Sequence, residues 1–223
     1  MPQHPQTLLE PRKSPVQARS AASVDAILEA TIQVLLHVGK ERLTTTRVAQ
    51  RAGVSVGTVY QYFPNKSALL QAALKQHLDK VTSAVELVCQ EQRGKTLEQM
   101  ATALITAFLG AKMRDAKTSV ALYSVSSDVD GAKIVQQKGI RSNQAIVEML
   151  ATACEPLTPD LQLVAFMLQC AMFGVSRRLL ESAAPEKQLE PLRQELIFLA
   201  CAYLQACSAR PSVQNAGTLR QHT

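Results

Sequence analysis

The densest run of side chains able to do chemistry lies between residues 44 and 66, TTTRVAQRAGVSVGTVYQYFPNK. It holds no nucleophile beside a base. It holds hydroxyls, three amides, two phenols and several cations, groups suited to phosphate oxygens and base edges. Two short apolar periodicities are joined by Gly53-Val54-Ser55. They predict one helix from Thr45 or Thr46 to Ala52, with a threonine capping it and Gly53 ending it, and a second from Val56 to Tyr62, capped by Ser55. Ala49, Val54 and Val59 are small or β-branched and let the two helices pack at a steep angle. That is a helix-turn-helix, whose second helix can enter a major groove. Its outer face would carry Ser55, Val56, Gly57, Thr58, Gln61 and Tyr62, with Gly57 letting the backbone come close to DNA.

No other constellation competes. The histidines, His4, His37, His77 and His222, are scattered, without His-x-x-x-His spacing, a nucleophile elbow or a carboxylate pair. Asp128 and Asp130 flank a turn and read as loop and cap residues. The sequence thus predicts no enzyme, no cofactor and no metal. Cys89, Cys154, Cys170, Cys201 and Cys207 are odd in number, irregularly spaced and in apolar helical contexts. They predict buried structural thiols in a reducing cytosol rather than a disulfide framework or zinc site.

The elements that must position the 44–66 segment are also legible. A first helix is expected from Ser23 to Val38, its apolar face running through Val24, Ile27, Leu28, Val34 and Leu35, with Gly39 as its left-handed stop. Pro64 cannot continue the helix before it, and a long fourth helix opens at Asn65–Lys66 and runs to about Gln92.

The run G-V-S-V-G-T-V-Y-Q-Y-F-P-N-K, preceded by L-T-T-T-R-V-A-Q-R-A, resembles the signature of the tetracycline-repressor (TetR) family, over about Ser23 to Leu74. The resemblance implies an all-α fold: a three-helix helix-turn-helix DNA-binding domain followed by a helical ligand-binding and dimerisation domain. It places Tyr62 and Lys66 at phosphates, and Thr45 and Thr46 at another phosphate, Thr46 also near a base edge. Val56, Gly57, Thr58 and Gln61 would face bases, with Gln61 suited to adenine and the methyls of Val56 or Thr58 to thymine. Tyr60 reads instead as packing between the third helix and the first or fourth.

Charge agrees. Ten of the 24 Lys and Arg residues but only five of the 18 acidic ones fall in residues 1–80, so the net +6 sits mainly there, as a polyanion partner requires. The chain is 47% hydrophobic with 4% aromatics and no Trp, which favours helices. Residues 1–20, with Pro2, Pro5, Pro11 and Pro15, read as a flexible arm whose Arg12, Lys13 and Arg19 could reach a minor groove or phosphates. Residues 21–80 form the DNA-binding domain, 81–207 the sensing and dimerisation domain, and 208–223 a flexible tail. The N-terminus shows no apolar signal core, and no apolar run is expected to span a membrane.

The body reads as helices near Thr96–Lys112, Thr118–Ser126, Gly131–Cys154, Pro159–Ser182 and Glu186–Ala206, with Pro191 delaying the regular part of the last to near Glu190. A two-turn recognition helix reads few base pairs, so two heads on a two-fold axis and a near-palindromic operator are expected. The resemblance implies that the last two helices pair with their copies, through residues such as Leu168, Gly174, Val175, Leu192, Leu196, Leu199 and Tyr203. It also implies an effector pocket among the fourth to eighth helices, where Phe108, Met113, Tyr123, Phe166, Met167, Gln169, Met172 and Phe173 could form an adaptable wall for a small hydrophobic or amphipathic molecule. The expected protein is a cytoplasmic homodimeric repressor of double-stranded operator DNA. A ligand-responsive activator and a helical interaction module without specific DNA binding are the alternatives.

Overall fold

The computed structural model describes residues 15–126 and 129–209, and side chains from Ser20 onward. Nine helices and no strand are formed among the described residues: α1 (Pro15–Arg42), α2 (Thr45–Ala52), α3 (Val56–Tyr62), α4 (Lys66–Glu91), α5 (Leu97–Met113), α6 (Ala116–Ser124), α7 (Gly131–Leu150), α8 (Leu161–Leu180) and α9 (Pro185–Ala209). The chain divides between Ala73 and Leu74, inside α4, into two compact units. Arg12, Lys13 and the tail beyond Ala209 lie outside the described residues, as does Asp128.

Several helix ends differ from the sequence expectation. The first helix starts at Pro15, where a proline's fixed φ suits a first turn, so residues 15–20 do not belong to an extended arm. Gly39 breaks the regular helix as expected, at φ 74° and ψ 171°, and a further turn reaches Arg42. α6 begins at Ala116 because the Asp115 carboxylate accepts the Thr118 amide at 2.9 Å, two residues earlier than a Thr118 start implies. α7 stops at Leu150, short of Cys154. α9 runs unbroken from Pro185 through Pro191 to Ala209, so Pro191 does not delay it, and Ser208 belongs to the helix. Pro191 removes one N–H bond from the first turns, and the packing of α9 on α5 and α8 outweighs that loss.

In the first unit α1 packs on α2 and α2 on α3. Ile27, Leu43, Val48, Val59, Leu69 and Ala73 are almost fully buried. Thr31 is buried as well and returns its hydroxyl to the Ile27 carbonyl at 2.7 Å, which satisfies it without a partner helix. In the second unit α5 is central, packing against α9, α8, α6 and α7 through Met100, Leu104, Ile105, Phe108 and Leu109. Thr96 caps α5 in a reciprocal box with Gln99. α4 is tied to α7 by Asp79–Lys138 and by the fork of Arg141 on Glu86 at 2.8 and 2.9 Å; Arg93, just past α4, adds a pair with Glu148 at 2.7 Å.

Two helical stretches, Ser20–Arg42 and Leu161–Leu180, are long and apolar enough to cross a membrane by length and composition, contrary to the expectation that none would be. Each buries one face in its own unit: Ile27, Leu28 and Leu35 on the first, Val164, Ala165, Leu168 and Met172 on the second.

Candidate functional site

The two short helices of the 44–66 segment are built by local chemistry. Thr44 caps α2 by accepting the Arg47 amide at 3.2 Å. Gly53 closes it at φ 69° and ψ 29°, a left-handed conformation that costs a glycine nothing, and its amide returns to Ala49 and Gln50. Val54 returns to Ala49 at 3.0 Å, so the turn is pinned on both residues. Val48, Ala49 and Val59 are sealed between the helices, as their size predicts.

What remains outside is the face the sequence singled out. Thr46, Val56, Gly57 and Gln61 are exposed, and Thr45, Thr58 and Tyr62 are half-buried. Ser55 is exposed but engaged: its oxygen accepts the Thr58 amide at 3.0 Å and shares a hydrogen bond with the Thr58 hydroxyl at 2.8 Å. It therefore acts first as the α3 cap. A Cβ built on Gly57 would meet only the Ser55 Oγ, at 3.6 Å, so nothing inside the protein requires glycine there.

Two side chains are placed otherwise than expected. Tyr60 is not packed between helices; it is 51% exposed, and its oxygen accepts the Thr45 hydroxyl at 3.2 Å. The helical turn explains this, because Val59 and Phe63 point inward and Tyr60 follows Val59 by 100°. The two hydroxyls link the start of α2 to α3 on the open side. Lys66 is half-buried, and its ammonium donates to the Lys40 carbonyl at 2.6 Å, at the end of α1. Two of its three N–H donors stay available to a phosphate. Arg47, in the first turn of α2, is an exposed cation that the sequence reading left out.

The second unit encloses a cavity of about 30 Å³ between α4, α5, α6, α7 and α8. Of the eight expected wall residues, Phe108, Tyr123, Gln169, Met172 and Phe173 line it; Met113, Phe166 and Met167 do not. Phe166 and Met167 are 54% and 48% exposed, because α8 turns Ala165, Leu168, Gln169 and Met172 inward and its intervening residues out. Phe108 and Phe173 pack with ring centroids 5.6 Å apart and planes tilted by 48°, and Gln169 donates to the Gly139 carbonyl at 2.9 Å. Next to the lining residue Lys112, His77 of α4 hydrogen-bonds the Ser119 hydroxyl at 3.0 Å, which donates to the Lys112 carbonyl at 3.0 Å. Burial first, then the neighbouring Lys112, lowers the His77 pKa to about 4, so the ring is neutral near pH 7.

The outward faces of α8 and α9 carry apolar residues without cover: Leu163, Phe166 and Met167 on one, Phe198 and Leu199 on the other. Gly174 is exposed on the same α8 face. Leu168 and Leu196, expected at a dimer contact, are each 4% exposed and belong to the core of their own chain. Val175, Leu192 and Tyr203 are half-buried. The cysteines also divide. Cys89 and Cys207 are buried, and burial pushes the Cys89 thiol up to about 12; Cys154 and Cys170 are exposed, unlike the uniform burial expected.

A helix-turn-helix with an open reading face, followed by a larger all-helical unit, defines a DNA-binding transcriptional regulator. Family comparison narrows that class. Residues 27–73 match the model of bacterial regulatory proteins of the tetR family, and residues 96–204 match the tetracyclin repressor-like C-terminal domain. The chain belongs to the TetR family of transcriptional regulators. It is 42% identical over 57 residues to the HTH-type transcriptional repressor KstR of Rhodococcus jostii (strain RHA1), a match covering 26% of this chain and 27% of KstR. The matched segment spans 27% to 35% of the length of such curated relatives. Among solved structures, one from Mesorhizobium loti MAFF303099 assigned to the TetR family matches with a TM-score of 0.69 at 18% identity, over 84% of this chain and 98% of that one. A transcriptional regulator from Rhodococcus sp. Rha1 matches with a TM-score of 0.67 at 23% identity, over 85% and 100%.

Proposed function

We propose that the protein is a cytoplasmic repressor that binds a near-palindromic operator as a homodimer and is released by a small hydrophobic or amphipathic effector. The observation that carries the DNA reading is the outer face of α3. It combines a glycine that no internal contact demands with exposed Val56 and Gln61, flanked by the hydroxyls of Thr45, Thr46 and Tyr60 and the ammonium of Lys66. Such a surface fits a groove floor with phosphates on either side. In this reading Tyr60 and Tyr62 join Thr45, Thr46, Arg47 and Lys66 in positioning the head on the backbone, while Val56, Gly57, Thr58 and Gln61 read bases. The uncovered faces of α8 and α9 pair with their copies about a two-fold axis, setting half-sites about 34–36 Å apart.

Release follows from α4, which carries Lys66 at its start and Leu78, Val81, Thr82 and Val85 in the cavity wall. A cavity of about 30 Å³ holds about one water, so an effector must push its walls apart. A ligand that binds the expanded body better than the closed one shifts the population, moves α4 and lowers operator affinity by its differential affinity for the two states. The test is fluorescence-anisotropy binding to DNA from upstream of the protein's own coding region, titrated across salt and repeated with Lys66→Ala. Saturable binding that survives competitor DNA, weakens with salt and loses about one unit of salt slope in the variant is expected. No preference over random DNA, there and in a random-library selection, would overturn the reading.

A further inference from the structure

The cavity between α4 and α8 contains a buried cation that no carboxylate among the described residues pairs with. Lys112, in the last turn of α5, is 2% exposed and lines the cavity. Its ammonium donates to the Tyr123 hydroxyl and stands 4.5 Å from that ring's centroid. Among the described residues no carboxylate pairs with it. An ammonium has three donors, and a buried charge with only neutral partners is costly to the fold. Lys138, the other cation on the wall, is neutralised by Asp79. Among the described residues, therefore, the wall holds one positive charge without an ion-pair partner, on a surface shared with apolar groups such as Val81, Val85, Ile146 and Met172.

We propose that the effector is a monoanionic amphiphile, a single carboxylate on an apolar body. The carboxylate takes the free donors of Lys112 and the hydroxyl proton of Tyr123, and the apolar body parts Val81 and Val85 from Ile146 and Met172. This rests on the effector-cavity reading above and gives the ligand its charge. One charge, rather than the two of a phosphate ester, matches one unpaired lysine. The same residue connects the ligand to α4. The Lys112 carbonyl holds the Ser119 hydroxyl, which holds His77, so an ammonium drawn toward a carboxylate pulls on the hydrogen bonds that seat α4.

Decanoate, decanol and decyltrimethylammonium, each below its aggregation threshold, are titrated into the full chain by calorimetry and into its operator complex by anisotropy. Decanoate is expected to bind at least tenfold tighter than decanol and to release DNA. Lys112→Met, which keeps the length and removes the charge, should reverse that preference while melting at or above the parent Tm, because an unpaired buried charge has been removed. A purely structural lysine would instead lower the Tm and leave the preference alone. If Lys112→Met does not fold, Tyr123→Phe must reduce the preference for decanoate at least threefold. Equal binding of decanoate and decanol, or a preference surviving both substitutions, overturns the proposal. Release of DNA by decanol or the ammonium compound but not by decanoate overturns it and leaves the effector cavity standing. No binding by any of the three overturns both.

Discussion

Replacing Phe198 by alanine should convert a dimer into a monomer without disturbing the chain's own fold. The ring is 71% exposed, so it contributes little to the core of its own unit. A phenylalanine presents about 150–250 Å². Taking about 200 Å², roughly 140 Å² of each ring stands in water. At about 25 cal/mol per Å², covering it is worth about 3.5 kcal/mol per ring. Two-fold symmetry counts the ring twice, and the methyl left by alanine retains part of the gain. The loss per dimer is therefore about 5 kcal/mol, a rise in dimer Kd of between about a thousandfold and ten-thousandfold. Sedimentation equilibrium across a concentration series measures it directly, with the helical circular dichroism signal at low temperature confirming an intact fold. Operator binding should weaken in parallel, because one head alone makes half the contacts. Leu168→Ala is the contrasting substitution: at 4% exposure it opens a cavity in the chain's own core, so it should cost about 2–5 kcal/mol of stability before it touches association. A Phe198→Ala dimer Kd within threefold of the parent's would refute the assignment of this face.

Gly57→Ala should raise the stability of the head by about 0.5–1 kcal/mol, since alanine favours helix and its Cβ meets only an ordinary contact, while operator affinity falls about tenfold; thermal melting and anisotropy read the two opposite signs. Tyr60→Phe should leave melting unchanged and weaken operator binding several-fold, because the exposed hydroxyl that joins Thr45 is lost. His77, beside Lys112, Asp115 and Lys80, has a folded pKa of about 4 against about 6.5 unfolded, so the unfolded chain takes up the proton first as pH falls. Its contribution, on the order of 3 kcal/mol, is fully present above about pH 6.5 and is lost as pH falls toward 4. Urea midpoints of the parent and His77→Gln should therefore converge as pH drops through that window; parallel curves would contradict it.

The head was legible because its signals are local. Thr44, Gly53, Ser55 and Pro64 act on their own neighbours, so caps, turn and helix ends follow from a few adjacent residues, and the outward side of α3 follows from Val59 and Phe63 turning in. Tyr60 was misread because an aromatic beside a buried valine suits either a core or an open face, and it is the inward turn of Val59 and Phe63 that leaves Tyr60 outside. The same limit governs the body. Periodicity placed α8 and α9 close to where they lie, yet both are apolar on more than one side. Which side meets α5 and which stays uncovered depends on tertiary packing, so Leu168 and Leu196 proved internal while Phe166, Met167 and Phe198 proved external. The burial of Lys112 had no sequence signal at all, since a lysine in the last turn of a helix ordinarily serves the dipole and the solvent. By itself the sequence determined the helices, their family and the outward face of α3, because those depend on near neighbours. The cavity, the lysine buried in its wall and the uncovered apolar face were decided by tertiary structure, because each depends on residues far apart in the chain meeting or failing to meet.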